Sequence, residues 1–194
     1  MNIKKVVTQE EWKKVQKLMF AVNHEELGKA FLQEEVEFNE NVCTLFVEWE
    51  GEPVGCVRCF FERPKICELA KRGINLDNEH TKVALTDRLL ILPKFRKSKA
   101  VLYLVNEIYR QALLQSTHIA LMECEDHLLK FYRRMGFIPY RYVNYDYGGR
   151  YQLYINPWDI SHLERVRSPF VSVYQQFMRE VAVFIGEKRI AQYA

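Results

Sequence analysis

The sequence predicts an α+β domain in which helices cover both faces of a mixed, largely antiparallel sheet. The predicted elements follow the order β-α-α-β-β-β-α-β-α-β-β, which lacks the strict alternation of a doubly wound parallel sheet. Two pairs of strand-like runs are joined by short turn signals, as in antiparallel hairpins. The 194 residues, 48% of them apolar, suffice for one domain with a buried core.

The first half of the chain predicts a strand, two helices and a hairpin. After a strand at 3–7, Thr8 and Glu11 have the spacing of a capping box, and an apolar stripe at helical spacing follows. A second, acidic helix is predicted at about 25–38. The runs VCTLFVEW and PVGCVRCFF then predict two strands, joined by a turn around Gly51.

The middle of the chain predicts a long strand followed by the most regular helix of the sequence. Residues 83–92 read as a strand that ends before Pro93, which cannot donate to a ladder. Ser98 is predicted to cap a helix whose apolar positions between 101 and 113 recur at helical spacing.

The elements after this helix are a strand, a short helix and a closing hairpin. The strand is predicted at 118–125, and Asp126 is predicted to cap the short helix, which Gly136 ends. The hairpin is predicted to turn at 148–149.

The C-terminal part is predicted to be a helical extension of the same domain. It begins at about residue 156 and is interrupted at Pro169. Its apolar face is expected to pack against the sheet or against a second subunit, so a monomer and a homodimer both remain open.

Composition argues against dedicated nucleic-acid binding and against membrane insertion. The net charge is only +3, far below the excess expected of a protein that binds a polyanion. No apolar run approaches the length of a membrane span, and the N-terminal residues become charged before a signal-peptide core could form. A cytoplasmic protein is expected.

Cysteine and histidine patterns do not predict a metal or redox site. The five cysteines are an odd number, which argues against a disulfide framework. Cys56 and Cys59 have C-x-x-C spacing but lie in a predicted strand, where residues three apart point to opposite faces. The five histidines have no ligand spacing.

Two motifs with fixed spacing resemble the GNAT acyltransferase superfamily. The first is Pro93-Lys94-Phe95-Arg96, between the long strand and the regular helix, and the second runs from Tyr132 to Gly136-Phe137. Together with the element order, the resemblance covers residues 1 to about 155. It implies the GNAT fold and acyl transfer to an amine, with Tyr132 as the catalytic group that protonates the leaving thiolate. Packing beside Phe131 is the alternative role for Tyr132.

The loop before the regular helix departs from the superfamily pattern R-x-x-G-x-G/A. Lys99 and Val101 stand where acetyl-CoA-dependent members have glycines that let the backbone approach a diphosphate. Such a cationic loop suits the acidic recognition helix of an acyl carrier protein. The predicted carrier-protein-binding residues are Lys94, Arg96, Lys97 and Lys99.

The chain further resembles the long-chain N-acyl amino acid synthases, which are related to the acyl-homoserine-lactone synthases. The residues that carry this resemblance are the TDR-x-x-x-L-P-x-F-R run, Cys124 to Leu128, and the tail HLERVRSPF. The family moves a fatty acyl group from acyl carrier protein to an amino acid, tyrosine among the acceptors. The implied donor is an acyl-phosphopantetheine thioester, with acyl-CoA as the alternative, and no tightly bound cofactor is implied.

The resemblance also implies a strand bulge that offers a backbone NH to the developing oxyanion. That bulge is expected near residues 89–92, so Leu90 and Leu92 are predicted to contact substrate. A surplus of Tyr and Phe between 131 and 154 is consistent with a groove for an acyl chain or with core packing.

Two charges interrupt the long strand and must meet partners if they are buried. Asp87 is predicted to orient or deprotonate the acceptor amine, and Arg88 to bind a carboxylate. Because neighbouring strand residues face opposite ways, the two are expected to serve different surroundings, and a structural ion pair with strand neighbours is the alternative. Glu123 and Glu125, at the end of the next strand, are rival bases.

The predicted function is therefore transfer of a long-chain fatty acyl group from acyl carrier protein to an amino acid. Two alternatives remain open at this point: an acetyl-CoA-dependent N-acetyltransferase of a small amine, and a non-catalytic binding module of GNAT shape.

Overall fold

The fold is an open sheet with helices on both faces. A computed structural model describes residues 1–26, 37–61, 69, 72–74 and 80–193. Its strands are β1 (Asn2–Lys5), β2 (Val42–Trp49), β3 (Glu52–Phe60), β4 (Val83–Ile91), β5 (Ile119–Cys124), β6 (Ile138–Tyr145) and β7 (Gly148–Ile155). Its helices are α1 (Gln9–Phe20), α2 (Ala100–Leu114), α3 (Leu129–Met135), α4 (Ile160–Arg165) and α5 (Phe170–Tyr193).

The described strands form one seven-stranded sheet in the order β1-β2-β3-β4-β5-β7-β6. Neighbouring strands are antiparallel except β4 and β5, which are parallel. The predicted α+β class and the mixed, mostly antiparallel sheet are therefore confirmed.

Helix α1 begins at the predicted capping box. The Glu11 amide donates to Thr8 Oγ1 at 3.2 Å, and the Thr8 amide donates to Glu11 Oε2 at 3.1 Å. A π-helical turn, Ala21–Glu26, directly follows α1. The predicted second helix at about 25–38 falls largely outside the described residues, and Phe38, at its end, is not helical.

Helix α2 starts one residue later than a Ser98 cap requires. Lys99 is the N-cap residue, so the prediction for Ser98 was wrong by one position. The hydroxyl still takes part: Ser98 Oγ accepts from the Ala100 amide at 3.1 Å and donates to the Phe95 carbonyl at 2.6 Å. Ser98 thus joins the end of the loop to the first turn of α2.

Helix α3 is short, and only its C-terminal signal was predicted correctly. Asp126 caps nothing: it lies in a 3₁₀ turn, Asp126–Leu128, and α3 follows without a side-chain cap. Gly136 ends α3 as predicted, with a φ of 109°. A Cβ at this glycine would lie 2.5 Å from Cδ2 of Leu163 in α4, so α3 and α4 pack closely there.

The closing hairpin turns two residues earlier than the paired glycines predict. Tyr145 pairs with Gly148, which leaves Asp146 and Tyr147 in the turn and places both glycines in β7. Gly148 has a φ of 111°, as expected for the left-handed residue that follows a tight turn in many hairpins. Gly149 lies against the ring of Tyr142, where a Cβ would not fit.

The C-terminal helix α5 packs on α2 of the same chain. The rings of Tyr109 and Phe170 stack with centroids 4.3 Å apart, and Arg110 donates to Glu180 at 3.0 Å. The predicted interruption at Pro169 is confirmed, since α4 ends at Arg165 and α5 begins at Phe170. Among the described helices, none is long and apolar enough to cross a bilayer.

Candidate active site

A cleft opens where β4 and β5 part. Within the described ranges, the two strands pair only over Val83–Leu85 and Ile119–Leu121, and β4 then continues to Ile91 without a strand partner on that side. Their divergence leaves a cavity of about 660 Å³. The β4 residues Thr86 to Ile91 form one wall, and Met122 to Glu125 form the other.

Side chains from several other elements complete the cavity wall. These residues are Val22, Asn23, Arg96, Val101, His127, Leu128, Phe131, Tyr132 and Arg150. The π-helical turn after α1 contributes Asn23, the start of α2 contributes Val101, and α3 contributes Tyr132. The cavity wall thus combines residues of the sheet with residues of α2, α3 and the turn after α1.

A bulge in β4 lies on the cavity wall. Opposite β4, Arg58 pairs with Arg88 and the next β3 residue, Cys59, pairs with Thr86, so Asp87 is the extra residue. The bulge predicted near residues 89–92 therefore lies earlier than expected. Sequence reasoning could not locate it, because bulge position depends on pairing with β3 and not on the local pattern of β4.

The bulge brings Asp87 and Arg88 together instead of separating them. Arg88 Nε lies 3.2 Å from Asp87 Oδ2, and Arg58 NH1 approaches the same oxygen at 3.5 Å. The prediction that the two residues serve different surroundings was wrong, because a bulge breaks the strict alternation of strand side chains. Both nevertheless line the cavity, beside Leu90.

Tyr132 projects from α3 into the cavity and is only 5% exposed. Within the described residues, no group lies within hydrogen-bonding distance of its hydroxyl. Burial raises the pKa of Tyr132 above its ordinary value, with a further contribution from the Cys124 thiol. The phenol is therefore a protonated group at the cavity wall, able to donate to a ligand. It also packs, since its ring contacts Phe131 and Phe137 edge-on.

Glu123 lies on the opposite wall and is held by three donors. Arg72 NH1, the Tyr145 hydroxyl and Gln152 Nε2 each donate to Glu123 Oε1 at 2.9 Å. Three donors on one oxygen hold the Glu123 carboxylate in a fixed orientation on this wall. Its role as a rival base stays a prediction.

The basic loop lies at the edge of the cavity, and only one of its cations reaches the wall. Arg96 lines the cavity and donates from Nε to the Ile91 carbonyl at 3.2 Å. Lys94, Lys97 and Lys99 are exposed on the surface outside it. Leu92 packs toward α1 and does not line the cavity, unlike Leu90.

Glu125, predicted as a rival base, is the centre of a charged cluster on the cavity wall. Arg150 NH2 lies 2.8 Å from Glu125 Oε1, and His127 Nδ1 lies 3.4 Å from Glu125 Oε2. Arg150 comes from β7, and its position follows from the pairing of β7 with β5, which no local signal in the sequence gives. The described residues contain no group of three or more metal-ligating side chains placed to hold an ion.

A second, smaller cavity adjoins the cleft. It measures about 40 Å³ and shares Thr86, Leu89, Met122 and Tyr132 with the larger one. Of the aromatic residues suggested for an acyl groove, Tyr132 and Phe137 line it, but Tyr140, Tyr142 and Tyr147 are exposed on the β6–β7 hairpin. Most of the aromatic surplus therefore belongs to surface and core.

A sequence profile of the Acetyltransferase (GNAT) family matches residues 9–137, which is more than half of the chain. The chain belongs to the GNAT family. The cleft between β4 and β5 and the motifs around α2 and α3 all lie within the matched range. The protein is thus an acyltransferase of GNAT type, and the predicted GNAT fold and enzyme class are confirmed.

Solved structures of other GNAT-fold proteins have the same architecture. The chain is similar to FeeM, an N-acyl amino acid synthase from uncultured soil microbes, with a TM-score of 0.68 and 14% identity over 84% of this chain and 95% of FeeM. It is similar to TofI, solved in a ternary complex with an inhibitor and MTA, with a TM-score of 0.64 and 14% identity over 89% of this chain and 100% of TofI.

An aminoglycoside 6'-N-acetyltransferase complexed with coenzyme A is a further similar structure. Its TM-score is 0.61, with 12% identity over 81% of this chain and 97% of the acetyltransferase. No curated protein matches the chain. At these identities the similar structures establish the GNAT fold and leave the donor and acceptor to be argued from this chain's own residues.

Proposed function

We propose that this GNAT enzyme transfers a fatty acyl group from the thioester of an acyl carrier protein to the α-amine of an amino acid, with tyrosine as a candidate acceptor. The observation that carries the proposal is the loop from Pro93 to Lys99, which is poorly suited to a nucleotide diphosphate and well suited to an acidic protein. The likeness to FeeM, an N-acyl amino acid synthase, supports an amino acid as the acceptor.

Internal hydrogen bonds occupy amides of this loop that a diphosphate would need. The Arg96 amide donates to the Pro93 carbonyl at 3.2 Å, and the Ser98 amide donates to the Phe95 carbonyl at 3.0 Å. The Ala100 amide, at the first position of α2, donates to Ser98 Oγ. A diphosphate seated at the start of α2 would have to replace these bonds, besides fitting around the side chains of Lys99 and Val101.

The exposed cations of the loop offer an alternative way to hold the donor. Lys94, Lys97 and Lys99 project from the surface beside the cavity, next to the half-exposed apolar residues Leu102 and Tyr103 of α2. Negative charge on a carrier protein would speed its encounter with these lysines and fix the orientation of the carrier protein on the enzyme. The apolar residues would supply contact area. The thioester arm would then enter the cleft between β4 and β5.

The acceptor side of the cleft carries groups of both charges. Asp87 can receive the α-amine, and Arg88 can bind the α-carboxylate, because both line the cavity on the bulged part of β4. An amino acid needs both contacts, whereas a simple amine needs only one.

In the proposed reaction, the neutral amine nitrogen forms a bond to the thioester carbonyl carbon, and the carbonyl oxygen becomes an oxyanion. The nitrogen loses one proton to Asp87, directly or through water. The carbon–sulfur bond then breaks, and the leaving thiolate takes the proton of the Tyr132 hydroxyl. A backbone NH of the bulged strand is the proposed donor to the oxyanion.

The small apolar cavity is the proposed entry for the acyl chain. It is nearly free of polar surface and begins at Leu89, Met122 and Tyr132, where the thioester would react. Its volume of about 40 Å³ is close to the share of one water molecule in the liquid, so a long chain requires Leu89 and Met122 to rotate away or must lie in the larger cleft.

Mass spectrometry of lipid extracts from cells that express the protein tests the proposal. An N-acyl amino acid that is absent from cells expressing the Tyr132→Phe variant is the expected result, and its chain length and head group identify both substrates. Acetylated amines without any fatty acyl product would contradict the proposal.

A charge-reversal experiment tests the donor. The Lys97→Glu/Lys99→Glu enzyme is expected to have a KM for acyl carrier protein raised about tenfold or more, with kcat largely kept, because the reversed charges repel an acidic partner. Lys13→Glu/Lys17→Glu in α1 is the matched control. Arg96 is left intact, since it contacts the Ile91 carbonyl inside the cavity. Equal KM values for both double variants would exclude the docking surface.

A coenzyme A-dependent acetyltransferase of a small amine is the second candidate. The similar acetyltransferase solved with coenzyme A favours it. Under our proposal, millimolar coenzyme A is expected to leave the melting temperature unchanged, since a ligand stabilises a protein only where it binds the folded state. A rise of several degrees in a thermal shift assay would favour the acetyltransferase.

A further inference from the structure

A buried guanidinium lies directly behind the Asp87 bulge. Arg58, on β3, is 5% exposed and lies over two aromatic rings, 5.7 Å from the centroid of Trp12 and 5.5 Å from that of Phe60. Its NH1 approaches Asp87 Oδ2 at 3.5 Å. The side chain does not line the cavity itself, so any effect on substrate passes through Asp87.

Arg58 is poorly explained by fold stability alone. Its Nε is buried and has no hydrogen-bond partner among the residues that the structure describes, and Arg88 lies opposite it on β4. Burial lowers the pKa of Arg58 from its ordinary value, while Asp87 acts in the opposite sense. A well-packed apolar residue in place of a buried charge is often as stable or more stable, so this arginine needs another explanation.

The contacts of Asp87 supply that explanation. Arg58 NH1 and Arg88 Nε both approach Oδ2, and within the described residues no donor reaches Oδ1. A carboxylate held from one side by two guanidinium groups has its other oxygen fixed in direction. Asp87 is also the extra residue of the bulge, so its backbone position depends on how β4 pairs with β3, where Arg58 lies.

We propose that Arg58 is a positioning residue, clamped between Trp12 and Phe60, that holds the Asp87 carboxylate in the orientation in which Oδ1 receives the acceptor amine. This inference rests on the proposed function, since it requires Asp87 to meet the acceptor.

Arg58→Met tests the inference, because methionine keeps the apolar stem and removes the guanidinium. The expected result is a kcat lower by about 10- to 100-fold, as for other small misplacements of a reacting group, with the KM for the thioester donor unchanged and the melting temperature equal or higher. Arg110→Met, which removes an ion pair between α2 and α5, is the matched control and is expected to keep kcat. Arg58→Lys is expected to recover part of the lost rate.

A double-variant cycle separates positioning from folding. Because Arg58 acts through Asp87, adding Arg58→Met to Asp87→Asn is expected to lower kcat by less than twofold beyond Asp87→Asn alone. An unchanged kcat in Arg58→Met, or fully multiplicative losses in the double variant, would overturn the inference. If Arg58→Met does not fold, the same cycle is measured with Arg58→Lys.

A crystal structure of the Arg58→Met variant tests the inference without using the proposed substrates. We expect the Asp87 carboxylate to turn away from its position in the wild-type enzyme, and an unmoved carboxylate would overturn the inference. If the wild-type enzyme acylates no amino acid, the proposed function fails, and the position of Asp87 in the variant still decides the role of Arg58.

Discussion

The Tyr132→Phe enzyme is expected to lose about 100-fold or more in kcat, the usual contribution of a positioned general acid. The hydroxyl lies at the cavity wall without a partner among the described residues, so its removal leaves no donor unsatisfied and should change folding stability little. Single-turnover measurement of thiol release separates this loss from product release. A kcat within threefold of wild type would show that Tyr132 only packs.

Tyr174→Phe is the matched control for this variant. It removes a tyrosine hydroxyl from α5, where the ring packs against Trp158 with centroids 6.2 Å apart, outside both cavities. The control is expected to keep kcat within twofold of the wild-type value.

The pH dependence of kcat gives a further check on Tyr132. Burial raises the pKa of Tyr132, so the phenol keeps its proton as the pH rises through about 10, the ordinary tyrosine value. The acid is lost only above the raised pKa. We therefore expect no descending limb from this group in the kcat profile between about pH 8 and 10.

Gly136→Ala is expected to lower the free energy of unfolding by about 2–5 kcal/mol, the largest stability effect proposed here. Gly136 has a φ of 109°, and an L-residue in the left-handed region costs about 1–2 kcal/mol. The added Cβ would also lie 2.5 Å from Cδ2 of Leu163, and overpacking of this kind costs typically about 1–3 kcal/mol more. Urea denaturation of both proteins measures the difference.

Gly51→Ala separates the two causes. Gly51 also has a positive φ, 84°, but a Cβ there meets no atom within 4 Å. The free energy of unfolding of the Gly51→Ala variant should therefore fall only by the backbone cost of about 1–2 kcal/mol. Equal losses at the two glycines would mean that α4 shifts freely and that the contact between α3 and α4 contributes nothing.

Signals confined to a few residues predicted much of the fold. The capping box of Thr8 and Glu11, the turn at Gly51 and the end of α3 at Gly136 are each determined by local backbone chemistry, and each was found where predicted. The glycine pair of the closing hairpin failed because a left-handed residue can follow a turn as well as lie within it, and the sequence alone does not distinguish these positions.

The candidate site was less predictable, because its geometry arises from pairing between strands. Asp87, Arg88 and Tyr132, which the sequence analysis singled out, all line the cavity, and their chemical roles stay predictions. The register that makes Asp87 a bulge depends on pairing with Arg58, which lies 29 residues earlier in the chain. The position of Arg150 depends on the pairing of β7 with β5. Long-range register of this kind leaves no pattern within either strand.

The short pairing of β4 with β5 has a consequence for how the enzyme and its donor interact. Past Leu85, the backbone of β4 on the side of β5 meets no neighbouring strand in the described part of the chain. An elongated ligand with amide groups can bond to that bare edge as an additional strand does. Under the proposed function, the amide groups of the phosphopantetheine arm would bond to this edge of β4, so that bound substrate would connect the two diverging strands.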